Sequence, residues 1–185
     1  RVKINIEDIN NVKKLLTLCG VKYVDAEGEA DELCSALVKS RKVYGCISDD
    51  MDMFIYGTRH IYRSFDLNTE TLMYYNLNMI LKYMNMRYND FIIFCIISGT
   101  DYYKSQHNIF YNYRIYQKFL RTNKQSYYVW LVYNKYISDD DSRLLKIMKT
   151  FTKSENTIMQ KFQNIQIYRN KPKLNAINKL LTLKN

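Results

Sequence analysis

The sequence of 185 residues predicts an α/β fold: a core with a parallel sheet, followed by an α-helical region. Three observations support this. Strand and helix patterns alternate over the first 50 residues, as in a parallel sheet with helical crossovers. Acidic residues cluster at the ends of two of these elements, and from Tyr102 onward the chain is basic and rich in aromatic residues. At 47% hydrophobic residues, the chain can bury the core of one such domain with a helical appendage.

Five elements are predicted in the first part of the chain. In order, they are a strand at residues 2–6, a helix over residues 9–16 that stops at Gly20, a strand at residues 21–24, a helix from Ala30 and a strand at residues 43–47. The helix from Ala30 has apolar residues at positions 30, 33, 34, 37 and 38, a spacing that is typical of a helix buried on one face.

A hairpin and further helices are predicted beyond the fifth element. Residues 60–65 and 71–75 read as an antiparallel edge around a turn that begins at Asp66. Asn76 or Asn78 caps the next helix, Asn89 and Asp90 cap a helix over residues 91–97, and Gly99 ends it as a left-handed C-cap. Later helices are predicted after residues 139–141, which we interpret as a cap rather than as metal ligands, from Ser154, and over residues 175–181.

Two pairs of carboxylates stand at element ends. Glu29 and Asp31 open the helix from Ala30, and Asp50 and Asp52 follow the strand at residues 43–47. In each pair the residues are two positions apart, which on an extended segment directs both side chains the same way. Carboxylates crowded at the carboxyl end of a strand are typical of a Mg²⁺ or Mn²⁺ site. The alternative is that they only cap helices.

Three acidic segments in the first 101 residues form a pattern that is longer than a single motif. The segments Glu29-Ala-Asp31, Asp49-Asp-Met-Asp52 with Gly57, and Ile97-Ser-Gly-Thr-Asp101-Tyr102 follow one another within residues 12–101. This part of the chain resembles the internal catalytic region of the flap endonuclease family, the structure-specific nucleases of DNA replication and repair. The resemblance implies a PIN-like nuclease core whose amino-terminal part is missing, in residues 1–101, followed by a basic, aromatic-rich helical region in residues 102–185.

The resemblance also implies the site. Glu29, Asp31, Asp50, Asp52 and Asp101 match the family's metal-binding acids, with Asp31 where the family usually has Glu. They would hold two Mg²⁺ ions, with Mn²⁺ as a substitute. Glu27 and Asp49 fall outside the ligand positions, and we interpret them as solvated flanks.

Two features of the family are not found. Its amino-terminal region brings two further aspartates, a lysine, an arginine and a helical arch, so we expect such a region in cis or in trans. Its glycine-rich hairpin, which grips duplex phosphates, has no counterpart in residues 106–114, which contain no glycine.

The charge distribution indicates where DNA binds. Residues 1–101 carry 12 basic and 14 acidic residues, whereas residues 102–185 carry 16 and 4. Five basic residues among the aromatics of this second part are the predicted contacts: Lys104, Arg114, Lys118, Arg121 and Lys124. The aromatic residues stack on bases or, as we favour, form the core of a helical subdomain.

The composition excludes a zinc site and indicates the location of the protein. Four separate cysteines and two histidines, His60 and His107, provide neither a Cys-x-x-Cys pair nor a zinc site. No membrane span, signal peptide or sliding-clamp motif is found, so we expect an intracellular protein, in a nucleus or at a viral replication site. The bias towards Asn, Ile, Lys and Tyr suits an AT-rich genome such as that of a large DNA virus.

The sequence thus predicts a metal-dependent endonuclease and 5′-3′ exonuclease that hydrolyses DNA at flaps or at junctions between duplex and single strand. Two alternatives are a catalytically inactive DNA-binding remnant and an RNA-cleaving relative with a similar fold.

Overall fold

A computed structural model of the chain describes residues 3–122, 126–138, 142–152 and 170–177. The elements are α1 (Ile6–Leu18), α2 (Ala30–Lys39), β1 (Cys46–Ile47), α3 (Asp52–Ile55), β2 (His60–Asp66), β3 (Thr71–Asn76), α4 (Leu77–Met84), α5 (Tyr88–Ser98), α6 (Ile109–Leu120), α7 (Tyr127–Tyr133) and α8 (Ser142–Phe151). Within the described residues, no helix is long and apolar enough to cross a membrane.

The chain divides into two compact units. One comprises residues 1–30 and 162–185, and the other comprises residues 31–161. The first unit holds α1, whose carboxyl end is tied to a later segment by hydrogen bonds from the Asn170 amide to the Gly20 carbonyl and from the Lys173 amide to the Leu18 carbonyl, both 2.8 Å long. The second unit holds the sheet and helices α3 to α8. The predicted division after Asp101 stays a prediction.

The sheet confirms the α/β prediction. It has three strands in the order β1-β2-β3; β1 runs parallel to β2, and β2 pairs with β3 as the predicted antiparallel hairpin. Asp66 holds the hairpin turn, because its Oδ1 atom accepts the amides of Asn68 and Thr69 at 2.8 and 3.4 Å. β1 is shorter than predicted, because the amides of Lys42 and Val43 bond to the Leu37 carbonyl at the end of α2 and not to a strand.

Two predicted strands are wrong. Residues 3–5 lead into α1 in a capping box: the Asp8 amide donates to Asn5 Oδ1 at 2.9 Å, and the Asn5 amide donates to Asp8 Oδ2 at 3.0 Å. Residues 21–24 form no strand either; Val21 makes an isolated bridge, and its amide closes the end of α1 on the Leu16 carbonyl at 2.8 Å.

Helix α5 is the centre of the core in the second unit. Seven of its eleven residues are buried, and it packs against α3, α6, α7 and α8. Tyr116, Phe119, Tyr127 and Trp130 pack their rings together beside it. For these four residues, the interpretation of the aromatics as a helical core is confirmed.

The predicted helix ends were partly right. Asn76 caps α4, as predicted, by accepting the Met79 amide at 3.3 Å. Helix α5 begins at Tyr88, so Asn89 and Asp90 lie inside it and are not caps; Asp90 is buried and bonds to Arg87. Gly99 has φ +116° and ψ +125°, which is not the left-handed helical conformation that we predicted. The predicted cap at residues 139–141 and the helix start at Ser154 lie outside the described residues.

Candidate functional site

The segment of residues 48–52, which follows β1 and which we call the acidic loop, holds two of the predicted ligands in a chain of hydrogen bonds. The Ser48 amide continues the β1–β2 pairing by donating to the Tyr62 carbonyl at 3.0 Å. Ser48 Oγ accepts the Asp50 amide at 3.1 Å, and Asp50 Oδ1 accepts the Asp52 amide at 2.7 Å. Asp50 thus accepts the amide of the first residue of α3, which fixes its carboxylate beside Asp52, but it is not the cap of this helix: the N-cap is Met51, which makes no side-chain cap hydrogen bond.

The adjacent Asp49 points to the neighbouring strand. Its Oδ1 atom accepts the Ser64 amide at 2.8 Å, and its carbonyl accepts Arg63 Nη2 at 2.6 Å. Its carboxylate is 75% exposed, but these contacts attach it to β2. The interpretation of Asp49 as a mere solvated flank was therefore incomplete; it anchors the loop.

The carboxylate of Asp52 is surrounded by others. Burial and, in decreasing order, the negative charges of Asp50, Asp101 and Asp31 together raise the pKa of Asp52 to about 6. The structure thus places three other predicted ligands, Asp31, Asp50 and Asp101, within electrostatic reach of Asp52. Asp31 lies in the first turn of α2.

A closed turn holds Asp101. Past Gly99, the Thr100 amide donates to the Tyr103 carbonyl at 3.0 Å and the Tyr103 amide donates back at 3.2 Å. Ser105 Oγ fastens this turn to the end of α5 by donating to the Ile97 carbonyl at 2.7 Å. Asp101 lies inside this turn and interacts electrostatically with Asp52, although Gly99 does not have the predicted left-handed helical conformation.

A cavity missed by the sequence interpretation lies beside the carboxylates. It has a volume of about 390 Å³ and is lined by Asp52, Arg63 and mostly apolar residues that include Phe54, Phe91 and Phe94. Cys95, predicted to be a core thiol, also lines it, and burial together with Asp52 raises the pKa of this thiol. Its apolar walls explain why Asp52 is partly desolvated, a property that no local sequence motif signals.

The four carboxylates fit a hard cation by their chemistry and charge. They supply only oxygen donors, and a bound cation would relieve the repulsion that raises the pKa of Asp52. Across the described ranges, however, no three Asp, Glu, His or Cys side chains converge closely enough to hold a metal ion. Glu29 belongs to the first unit, directly before α2.

Four of the five predicted DNA contacts are exposed. Lys104 follows the turn of Asp101, and Arg114 and Lys118 lie on α6, with Arg121 as its C-cap. Their spacing of 114, 118 and 121 places three of them on one face of α6, opposite the buried Ile115, Tyr116 and Phe119. Lys124 lies outside the described residues.

Comparison with known proteins adds the family context. Residues 20–101 match the family described as the XPG I-region. Flap endonuclease 1 of Xenopus tropicalis is 39% identical over 105 residues, which cover 55% of this chain and 27% of that protein. Flap endonuclease 1 of Entamoeba histolytica is 37% identical over 99 residues, which cover 52% of this chain and 26% of that protein. The chain thus spans about a quarter of the length of these relatives.

Solved structures of nucleases share the fold. Flap endonuclease-1 from Methanococcus jannaschii gives a TM-score of 0.77 at 21% identity, with 98% of this chain and 53% of that chain covered. The catalytic core of Rad2 in complex with DNA substrate gives a TM-score of 0.76 at 19% identity, with 98% and 64% covered.

Proposed function

We propose that this chain is a metal-dependent structure-specific nuclease of the flap endonuclease family, because its residues 20–101 match the XPG I-region and a flap endonuclease 1 is 39% identical to it over 105 residues. Its substrate is DNA at a flap or at a junction between duplex and single strand. The observation that carries the proposal is that Asp50, Asp101 and Asp31 all interact electrostatically with the half-buried Asp52, whose pKa is raised first by burial and then by these three charges. Such a concentration of negative charge is unfavourable unless a cation is bound.

The proposed ligands are Asp31, Asp50, Asp52 and Asp101, with Glu29 added by its match to the family. Two Mg²⁺ ions, when bound, would lower the pKa of a coordinated water and stabilise charge on the phosphodiester oxygens. The chain's own contribution is orientation: the Asp52 backbone amide holds the Asp50 carboxylate by donating to its Oδ1 atom, and the turn at residues 100–103 carries Asp101.

Protonation of Asp52 is part of the proposed mechanism. Since the pKa of this residue is raised to about 6, a fraction of the metal-free protein keeps the proton near neutral pH. Asp52 must give up that proton before its carboxylate can act as a ligand, so cation binding and proton release are linked.

The basic face of α6 is the proposed DNA contact. Arg114, Lys118 and Arg121 project from one side of a helix whose other side is buried, so they can meet phosphates without disturbing the core. Lys104 adds a charge close to the Asp101 turn. Contacts of this kind bind phosphate without regard to base sequence, which suits a nuclease that recognises structure.

The decisive experiment is Mg²⁺-dependent cleavage of a labelled 5′-flap DNA, by this chain alone and within its full reading frame. Asp50→Asn is expected to abolish cleavage and to leave binding of the flap nearly unchanged. Asp49→Asn is the matched control, because it makes the same chemical change one residue away at a carboxylate that contacts β2. Full cleavage by Asp50→Asn, or equal losses in both variants, would contradict the assignment.

The same assay addresses the alternatives. Salt-sensitive binding without cleavage by the full reading frame would identify a DNA-binding remnant. Faster cleavage of a matched RNA flap than of the DNA flap would identify an RNA-cleaving relative.

A further inference from the structure

Four rings lie side by side on one face of the sheet. We call Tyr44, His60, Tyr62 and Tyr74 the ring ladder. The Tyr44 and His60 rings stack with centroids 4.7 Å apart at 17°, the His60 and Tyr74 rings with centroids 6.0 Å apart at 8°, and the Tyr62 and Tyr74 rings lie 5.2 Å apart. The ladder therefore crosses from the segment before β1 over β2 to β3.

The pleat of the sheet explains this arrangement. Tyr62 and Tyr74 are paired across β2 and β3, and His60 lies two residues before Tyr62, so all three side chains share a face. Between them, Ile61 points the other way and is fully buried. The ring ladder is thus on the face opposite to the core contact of Ile61.

The rings are held in place before any ligand arrives. His60 Nδ1 and Tyr74 Oη are 2.6 Å apart, and Asn76 Nδ2 donates to Tyr74 Oη at 3.3 Å. Gly45 makes room for them: a Cβ atom there would lie 3.0 Å from Tyr62 Cε2 and 2.8 Å from the His60 carbonyl oxygen. A preorganised stack loses little conformational entropy when a further ring is added.

The outer end of the ring ladder is open to solvent. Tyr44 is 70% exposed and Tyr74 is 48% exposed. One face of the Tyr44 ring stacks on His60, so another planar group can stack on its other face, and its hydroxyl interacts with those of Tyr62 and Tyr74. A purely apolar protein partner would bury these hydroxyls, whereas a nucleobase is itself planar and polar at its edges.

The surroundings of the ring ladder are basic. Residues 39–44 contain Lys39, Arg41 and Lys42 and no acidic residue, and Arg59 directly precedes His60. Lys39 and Arg59 also line a separate cavity of about 240 Å³, whose lining includes no acidic residue and none of the four ring-ladder residues. The positive charge of these residues is complementary to the phosphates of a nucleic acid.

We propose that the ring ladder is a binding site for single-stranded nucleic acid, in which a nucleobase stacks on Tyr44 and the adjoining phosphates meet Arg41, Lys42 and Arg59. Aromatic rings beside cations are the recurrent means by which proteins hold single strands without reading their sequence. The proposal rests on the proposed function for the class of ligand, but it concerns a different place: the ladder begins before β1, whereas Asp50 and Asp52 follow its other end.

The ring ladder and the carboxylates of Asp50 and Asp52 are close enough for one nucleic-acid strand to contact both. Tyr44 and Asp50 are six residues apart, so a fully extended chain between them spans about 20 Å at most. A single strand seated on the ring ladder would therefore pass within a few nucleotides of the carboxylates, and would act as a guide for the unpaired part of a junction.

The test is binding of a fluorescent oligothymidylate to the full chain in EDTA, where cleavage cannot occur, measured by anisotropy. Tyr44→Ala is expected to weaken binding about tenfold, and Tyr44→Phe is expected to keep most of the affinity because the ring remains. Tyr83→Ala, which removes an 81% exposed tyrosine from α4, is the matched control and is expected to bind like the unmodified chain. Binding of blunt duplex DNA should be the same in all four proteins.

Two results would overturn the proposal. One is equal oligothymidylate affinity of Tyr44→Ala and the unmodified chain, which would leave the ring ladder as a protein contact or as packing of the hairpin. The other is an equal loss in Tyr83→Ala. Photo-crosslinking with a 5-iodouracil oligonucleotide provides a second readout, and adducts that avoid residues 44, 60, 62 and 74 would also count against it. Because no step requires cleavage, failure of the nuclease assignment leaves these results interpretable.

Discussion

Asp49 Oδ1 accepts a hydrogen bond from the backbone amide of Ser64 at 2.8 Å. This contact gives Asp49 a structural role that its neighbour Asp50 does not share. Asp49 joins the acidic loop to β2, whereas Asp50 turns towards Asp52. Two adjacent aspartates, indistinguishable by residue type, therefore have different structural partners.

We expect Asp49→Asn to destabilise the protein and to leave its affinity for divalent cations unchanged. The amide of asparagine is a weaker acceptor than a carboxylate, and since the side chain is largely exposed, the loss should be about 0.5–1 kcal/mol. Urea unfolding gives the stability, and Mn²⁺ titration by calorimetry gives the affinity. A large fall in Mn²⁺ affinity would show instead that Asp49 is a ligand.

Asp52→Asn should stabilise the metal-free protein near neutral pH. The folded-state pKa of Asp52 is raised from 3.8 to about 6, so the folded form binds the proton more tightly than the unfolded form. The resulting stability is fully present below about pH 4 and is lost as the pH rises through about 6. The neutral amide avoids this loss.

The measurement is thermal unfolding in EDTA at about pH 8 and about pH 4. The variant should melt higher than the parent at the upper pH, and the advantage should shrink at the lower pH. A variant that melts lower at about pH 8 would mean that the charges around Asp52 are compensated in the metal-free state.

Asp90→Asn should destabilise the core by about 2 kcal/mol without altering cation affinity. The Asp90 carboxylate is buried, accepts Arg87 Nε at 2.8 Å and Arg87 Nη2 at 3.3 Å, and accepts the Tyr116 hydroxyl at 3.4 Å. Denaturant unfolding with Tyr116→Phe and the double variant measures the coupling. Additive effects of the two substitutions would show that the weak contact to Tyr116 contributes nothing.

Gly57→Ala should cost about 2 kcal/mol or more. Gly57 has φ +84°, and a Cβ atom there would lie 2.6 Å from Tyr88 Oη, whose hydroxyl donates to the Ile55 carbonyl at 2.6 Å. In a Tyr88→Phe background the collision with oxygen disappears, so the cost of Gly57→Ala should fall to the backbone term of about 1 kcal/mol. A double-mutant cycle by urea unfolding measures this difference, and an unchanged cost would place all of the effect in the backbone.

The parts of the fold that were predicted correctly are those encoded by local spacing. The apolar repeat of α2, the turn at Asp66 and the cap at Asn76 depend on residues within one or two turns of each other. The strand predicted at residues 2–6 failed although its sequence alternates, because Asn5 and Asp8 satisfy each other's amides and start a helix. At residues 21–24, Val21, Tyr23 and Val24 are 39–41% exposed, so apolar residues alone did not make a core strand.

The site was predictable only as a set of residues. Spacing and resemblance selected Asp31, Asp50, Asp52 and Asp101, and Asp52 interacts with the other three. Burial is the largest cause of its raised pKa, and the cavity beside it is lined by residues of β2, β3 and helices α3 to α6, which are far apart in the sequence. Likewise, the role of Asp49 depends on its contact with Ser64, fifteen residues away, which no pattern within residues 49–52 predicts.

The brevity of β1 has a consequence for motion. Only Cys46 and Ile47 pair with β2, and beyond them the acidic loop is attached by the Ser48 amide, the Asp49 side chain and the hydrogen bond from Arg63 to the Asp49 carbonyl. So few bonds can open while the β2–β3 hairpin stays intact, because regions held by few contacts open at free energies well below that of global unfolding. The amides of Ser48 and Ser64 should thus exchange with deuterium sooner than those of the hairpin, and a cation that joins the carboxylates should slow both.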